Sequence, residues 1–177
     1  MAGGRELLSH RHRRRRPRAG ERWRPIALVL RPDGSASHAY AGDLQGNLWR
    51  FDLDRRLAFR VFTAQDRDGV AQPVTHAPAV VFAPGGGYLI LFATGKLLEA
   101  ADLLKPSFTP QSMYAILDRP DLALPPVASR KQLARRTLSG KDSTTIKGGL
   151  ADYGARDPRR GWYFDFPNAA SDGERAA

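Results

Sequence analysis

From Asp33 onward the chain is interrupted by glycine or proline about every ten residues, and this spacing limits the fold more than any other feature. The apolar runs between the interruptions are too short for a stable helix of several turns but suit strands. They are His38 to Ala41, Asn47 to Leu53, Ala58 to Thr63, Ala79 to Phe82, Tyr88 to Thr94, Ser112 to Leu117 and Trp162 to Phe166. Pro84-Gly85-Gly86-Gly87 is a turn between two of them. Short strands at regular spacing predict an all-β sandwich, barrel or propeller. Within Asn47 to Leu53 the residues alternate, with Leu48, Arg50 and Asp52 on one face and Trp49, Phe51 and Leu53 on the other. The second face is the more apolar, which predicts that Trp49 is buried and Arg50 solvated. The uncharged run Ala79 to Phe82 reads as a buried strand. Lys96 to Leu104 suits a short helix before Pro106, and the polar stretch Asp118 to Asp157 suits a long excursion with a strand or short helix near Gln132 to Leu138.

Charge is unevenly placed. Residues 1–31 hold ten arginines and two glutamates, a charge of +8, which leaves +2 of the total +10 for residues 32–177. The first 25 residues have no helix or strand period, and their mutual repulsion predicts disorder. A run such as His10-Arg11-His12-Arg13 could serve nucleic acid or anionic lipid. With no helix-turn-helix or aromatic-studded basic sheet beside it, the solvated-tail reading is preferred and nucleic-acid binding is not expected. The chain has no cysteine, which excludes a disulfide framework, a thiolate nucleophile and a thiolate metal site. No apolar stretch approaches the length of a membrane span, and the first thirty residues show no signal-peptide core.

The patterns that carry catalysis are missing from the sequence. Gly140-Lys141 and Gly95-Lys96 lack the glycine five positions earlier that a phosphate loop needs; Arg135 and Ile90 stand there. No Gly-x-Ser-x-Gly elbow exists. His38 and His76 are isolated, and Asp52 and Asp54 read as a strand end and turn rather than a catalytic pair. Trp49 and Trp162 read as packing residues rather than a platform for a quinone or sugar, and Trp23 falls in the tail. No catalytic or cofactor-binding residue is therefore assigned.

A weak repeat of strand, glycine turn and strand links Ala39 to Leu53 with Ala79 to Thr94, as in a propeller whose units bury one another. The run Tyr40-Ala41-Gly42-Asp43-Leu44-Gln45-Gly46-Asn47-Leu48-Trp49-Arg50-Phe51-Asp52-Leu53 resembles a quinoprotein-type propeller repeat. More specifically it resembles the C-terminal propeller of the PilY family of type IV pilus biogenesis proteins. Gln72 to Val80, Leu91 to Glu99, Gln111 to Asp118 and Gly161 to Pro167 resemble later parts of that propeller in the same order. The resemblance implies an all-β, partial propeller of roughly two blades over residues 33–177, preceded by the basic tail, residues 1–32. It implies a non-enzymatic fragment of a pilus biogenesis protein, acting in pilus assembly and surface attachment at the cell surface. Its expected partners are other pilus components or the rest of the propeller. A fragment of a quinone-dependent dehydrogenase is the alternative. Some relatives are implied to bind calcium in a loop before the Tyr-Ala-Gly-Asp run. Laid on this chain, the ligand positions are Val29, Arg31, Asp33, Ser35 and Ser37, of which only Asp33 keeps the pattern, a doubtful remnant. No metal or other cofactor is expected.

Overall fold

Each apolar run pairs with its neighbour through a tight turn, so the strands assemble as meanders. The computed structural model describes residues 26–122, 124–139, 145–148, 153 and 159–176; the segment 1–25 with Trp23, and Gly140-Lys141, lie outside the described residues. Four antiparallel strands form the first sheet in chain order, β1 (Ala27–Leu30), β2 (Ala36–Gly42), β3 (Asn47–Asp52) and β4 (Leu57–Thr63). The second is built from β5 (Ala79–Phe82), β6 (Tyr88–Ala93), β7 (Ser112–Asp118), a two-residue strand β8 (Ala134–Arg135) and, after a small hairpin of β9 (Thr137–Ser139) and β10 (Thr145–Lys147), β11 (Gly161–Asp165). Its order is β5-β6-β7-β11-β8, with β8 lying parallel to β11 at the outer edge. The first strands of the two sheets, β1 and β5, lie beside each other. The architecture is that of two blades of a partial β-propeller.

The main core lies between the blades. Phe62 from the first blade meets Tyr114 of the second at 5.1 Å between ring centroids, and Tyr114 stacks on Phe92 at 5.3 Å. Val29, Tyr40 and Leu48 join them from one side, Ile90 and Ile116 from the other. Aromatic rings dominate such a seam because each buries a large apolar area and tolerates offset or tilted packing.

Four expectations are corrected. The faces of β3 are reversed: Leu48, Arg50 and Asp52 are buried, Trp49 and Phe51 are half-buried, and Leu53 is exposed. Alternation gave the period, but a blade packs on both faces, and the face turned to the second blade is the one whose arginine finds a buried carboxylate there. Ala79–Phe82 is a strand but a poorly covered one, with Val81 47% and Phe82 84% exposed. The boundary after residue 32 cuts the first sheet, since β1 pairs with β2 from Ala27↔Tyr40 onward. Lys96 to Leu104 gives no α-helix, only a short 3-10 turn at Ala100–Leu103, followed by another at Lys105–Ser107.

The turn between β2 and β3 is organised by one carboxylate. Asp43 Oδ1 accepts the backbone N–H groups of Gln45 and Asn47, each at 2.9 Å, and Oδ2 accepts the Trp49 indole N–H at 2.8 Å and the Asn47 amide at 2.9 Å. The two glycines of the run have different causes. Gly46 needs its positive φ of 79° to close this turn, and a Cβ there would stand 2.6 Å from the Ala64 carbonyl oxygen. Gly42 leaves room for Val74, whose side chain would collide with any Cβ. We predict that Asp43→Ala destabilises the fold by about 3 kcal/mol or more, because several donors lose a charged acceptor together. Asp43→Asn should cost less, and urea unfolding would measure both.

Candidate functional site

Tyr40 and Arg50 project from adjacent strands of the first blade because they are directly paired across β2 and β3. Their target is Asp118, the last residue of β7. Arg50 Nη1 donates to both carboxylate oxygens, at 2.7 and 2.8 Å, and the Tyr40 hydroxyl donates to Oδ2 at 2.8 Å. The Arg50 guanidinium also lies 4.8 Å from the centre of the Phe59 ring. Arg50 and Asp118 are both buried. Burial, then the neighbouring Asp118 charge, pushes the Tyr40 hydroxyl far above its ordinary range, so it remains a donor. This triad joins the blades.

Outside the triad a cleft of about 620 Å³ opens between the blades. His38, Asp52, Asp54 and Arg55 line it from the first blade; Phe82, Tyr88 and Asp121 line it from the second. Tyr88 stands behind Phe82 at 5.8 Å between centroids and beside His38 at 6.4 Å. Burial, as the main cause, holds the His38 imidazole below its ordinary value. Asp52 is tied to Arg55 through the backbone N–H at 2.9 Å and through a guanidinium contact at 3.2 Å, while Asp54 pairs with Arg31. Asp52 and Asp54 therefore serve separate arginines rather than acting as a catalytic pair.

The other residues singled out in the sequence are dispersed. His76 is exposed and touches Thr75. Trp49 serves the Asp43 turn, and Trp162 packs half-buried on a second small core of Ala83, Leu89, Ala115 and Leu117. Asp33 sits in the β1–β2 turn, where Oδ1 accepts both the N–H and hydroxyl of Ser35, at 2.9 and 2.7 Å. Those two bonds, the hydroxyl first, hold its carboxyl below the usual range. The calcium positions do not fit the ion. The Val29 carbonyl receives the Ser37 hydroxyl, and the Arg31 guanidinium, whose charge repels a cation, reaches Ser35 and Asp54. Among the described residues no group of three or more metal-ligating side chains gathers. Arg50, Asp118, Phe82 and Asp121 were missed; the only sequence sign was an aspartate closing the aromatic strand Ser112 to Asp118.

The runs that carry the family resemblance meet in space. The Gln72 side-chain amide donates to Ser112 Oγ at 2.9 Å, the Tyr114 hydroxyl donates to Gln72 Oε1 at 2.5 Å, and Ser112 donates to Asp165 at 2.7 Å. Val74 N–H donates to the Asp43 carbonyl at 3.0 Å, and the Thr75 hydroxyl donates to the Gly95 carbonyl at 3.0 Å. The comparisons agree with this frame. Type IV pilus biogenesis factor PilY1 of Pseudomonas aeruginosa strain PAO1 is 32% identical, over 76% of this chain and 15% of that protein. A homolog of PilY1 from Xylella fastidiosa is 28% identical, over 81% of this chain and 11% of its own length. The crystal structure of the P. aeruginosa PilY1 C-terminal domain superposes with a TM-score of 0.67 and 29% identity, over 81% of this chain and 39% of that one. The chain carries a PilY1-type C-terminal domain fold. It spans only a small part of the PilY1 proteins it matches, 15% in the strain PAO1 case. No family model matches.

Two measurements check this PilY1-type seam. Arg50→Met should cost about 3–5 kcal/mol, since it strands a buried carboxylate. Adding Asp118→Asn to it should recover most of that loss, because the charge disappears while Tyr40 keeps an acceptor. A double variant no more stable than Arg50→Met alone would show that the charge is not what matters. Separately, millimolar calcium or a chelator should leave the thermal midpoint unchanged, whereas an ion binding the native state would raise it.

Proposed function

We propose that the chain acts as a non-enzymatic, pilus-associated propeller segment in type IV pilus assembly and surface attachment. The observation that carries this reading is the agreement of sequence and blade architecture with the PilY1 C-terminal domain. The relatives are named as biogenesis factors, which speaks against the dehydrogenase alternative. The proposed location is the cell surface or the pilus; among the described residues no helix is long and apolar enough to cross a membrane.

The proposed partners are other pilus components and further propeller blades. The second claim is supported by the outer face of the first sheet. Leu28 and Leu30, 50% and 58% exposed, share that face with the half-buried Trp49 and Phe51. A blade in a ring normally packs both faces. Deleting the gene in the bacterium that carries it should lower the number of surface pili and the adherence of cells, with both restored by the wild-type gene. Piliation and adherence unchanged by the deletion would refute the proposal.

A further inference from the structure

We infer that the outer edge of the second blade binds a linear anionic polysaccharide through Arg135, Arg136 and Lys147. Charge is segregated along the body of the chain. Residues 130–160 hold nine basic and three acidic residues, a charge of +6, which leaves −4 for the rest of residues 32–177. The three acidic ones, Asp142, Asp152 and Asp157, lie outside the described residues. β8, β9 and β10 therefore belong to a basic strip on a body that is otherwise acidic. Like charges gathered in this way repel one another, and an anionic partner relieves that cost.

The fold brings these cations to one place. Lys147 is directly opposite Thr137 in the β9–β10 hairpin, and Arg135 lies two residues before Thr137. Gly148, which follows Lys147, is the seat of Arg136. At its φ of 143° a Cβ would stand 2.4 Å from Arg136 Nη1 and 2.5 Å from Cδ, so the missing side chain makes room for this arginine at the end of β10. Arg136 and Lys147 make no ion pair among the described residues. Arg135, with a side chain 69% exposed, reaches only Asp165 Oδ2, at 4.0 Å, while Oδ1 is already held by Arg130 and Ser112. One carboxylate thus serves two arginines, and the strip keeps a surplus of positive charge.

The chemistry of the strip selects the ligand. Guanidinium and ammonium groups bring only donors, so the partner brings acceptors, and an arginine can meet two oxygens of one anionic group at once. The hydroxyls of Thr137 and Thr145, both exposed, donate as well as accept and suit sugar hydroxyls between the charges. A nucleic acid fits less well. Tyr163, paired with Arg135, is capped by the Arg130 guanidinium 4.0 Å from its ring centre and leaves no open face there for a base. The three-residue strands span only about 10 Å. A stiff duplex would run past them over the acidic remainder, whereas a narrow, flexible saccharide chain can follow the strip.

The test is fluorescence anisotropy at physiological salt with the full chain and two labelled probes, a galacturonate hexamer that carries carboxylates and a heparin hexasaccharide that carries mainly sulfates. Saturable binding of at least one is expected, and the tighter of the two names the preferred anion. Arg136→Gln and Lys147→Gln should each weaken it about fivefold, and together about twentyfold. Gly148→Ala keeps every charge but displaces Arg136, and should weaken binding as Arg136→Gln does. Circular dichroism checks that the variants keep their sheet content. Arg13→Gln with Arg14→Gln removes two charges from the N-terminal run and should leave affinity within about twofold of the parent. Equal losses in the hairpin and N-terminal doubles, parental affinity in Gly148→Ala, no saturable binding of either saccharide, or tighter binding of a DNA duplex of the same charge would each overturn the inference. The inference stands on the charge layout rather than on a role in pili, so either test can fail without the other.

Discussion

Everything between the blades is arranged around a single buried ion pair, Arg50 with Asp118. Taking two charges out of water costs several kcal/mol per ion even after relaxation, so the pair persists only because both carboxylate oxygens are met and Tyr40 adds a further donor. The pair fixes the middle of β3 against the end of β7, and that choice determines which face of the first sheet turns inward. Leu48 and Tyr40 then join the aromatic core, and Trp49 is left to close a turn. An apolar pair of the same volume could hold the blades as firmly. It would define their relative position less sharply, because dispersion has little directional preference while a two-oxygen contact has a defined geometry.

Aspartates do a second job throughout the chain, away from any chemistry. Asp66 Oδ1 accepts the N–H groups of Asp68 and Val70 at 2.9 and 2.8 Å, and Asp102 Oδ2 accepts those of Leu98 and Glu99 at 2.8 and 3.1 Å. Asp33 and Asp43 act alike in their turns. A short carboxylate that folds back on nearby backbone donors stands in for sheet hydrogen bonds where the chain must reverse. This explains how the described loops can hold many acidic residues without gathering three or more metal-ligating side chains together.

Most of the strands were legible because their runs are short, apolar and bounded by glycine or proline. Seven such runs became strands with small shifts at their ends. β1 is hard to see in the sequence because Ile26 to Leu30 follows directly on the arginine-rich segment, although Pro32-Asp33-Gly34 marks a turn immediately after. The orientation of β3 was not legible. Period two separates Arg50 from Trp49 but does not say which face meets a neighbour, and the deciding partner, Asp118, lies 68 residues away. The cleft was hidden for the same reason, since His38 of β2, Asp54 after β3, Phe82 at the end of β5 and Asp121 after β7 are brought together only by the pairing of the two blades.

The stretch after β7 makes more than a detour. Val127 is buried in the seam and its N–H donates to the Val61 carbonyl at 2.8 Å, on the outermost strand of the first blade. A few residues on, the Gln132 carbonyl accepts the Arg160 N–H at 2.8 Å, and β8 lies along β11. This segment is a strap with one anchor on each blade, and it crosses the rim while the ion pair locks the interior. Units that touch only along one interface can peel apart singly, as in a linear array of repeats. Here a blade cannot detach without also tearing the strap from its seat. The two blades are therefore expected to melt as one body, with amide protons in both exchanging through the same global opening rather than blade by blade.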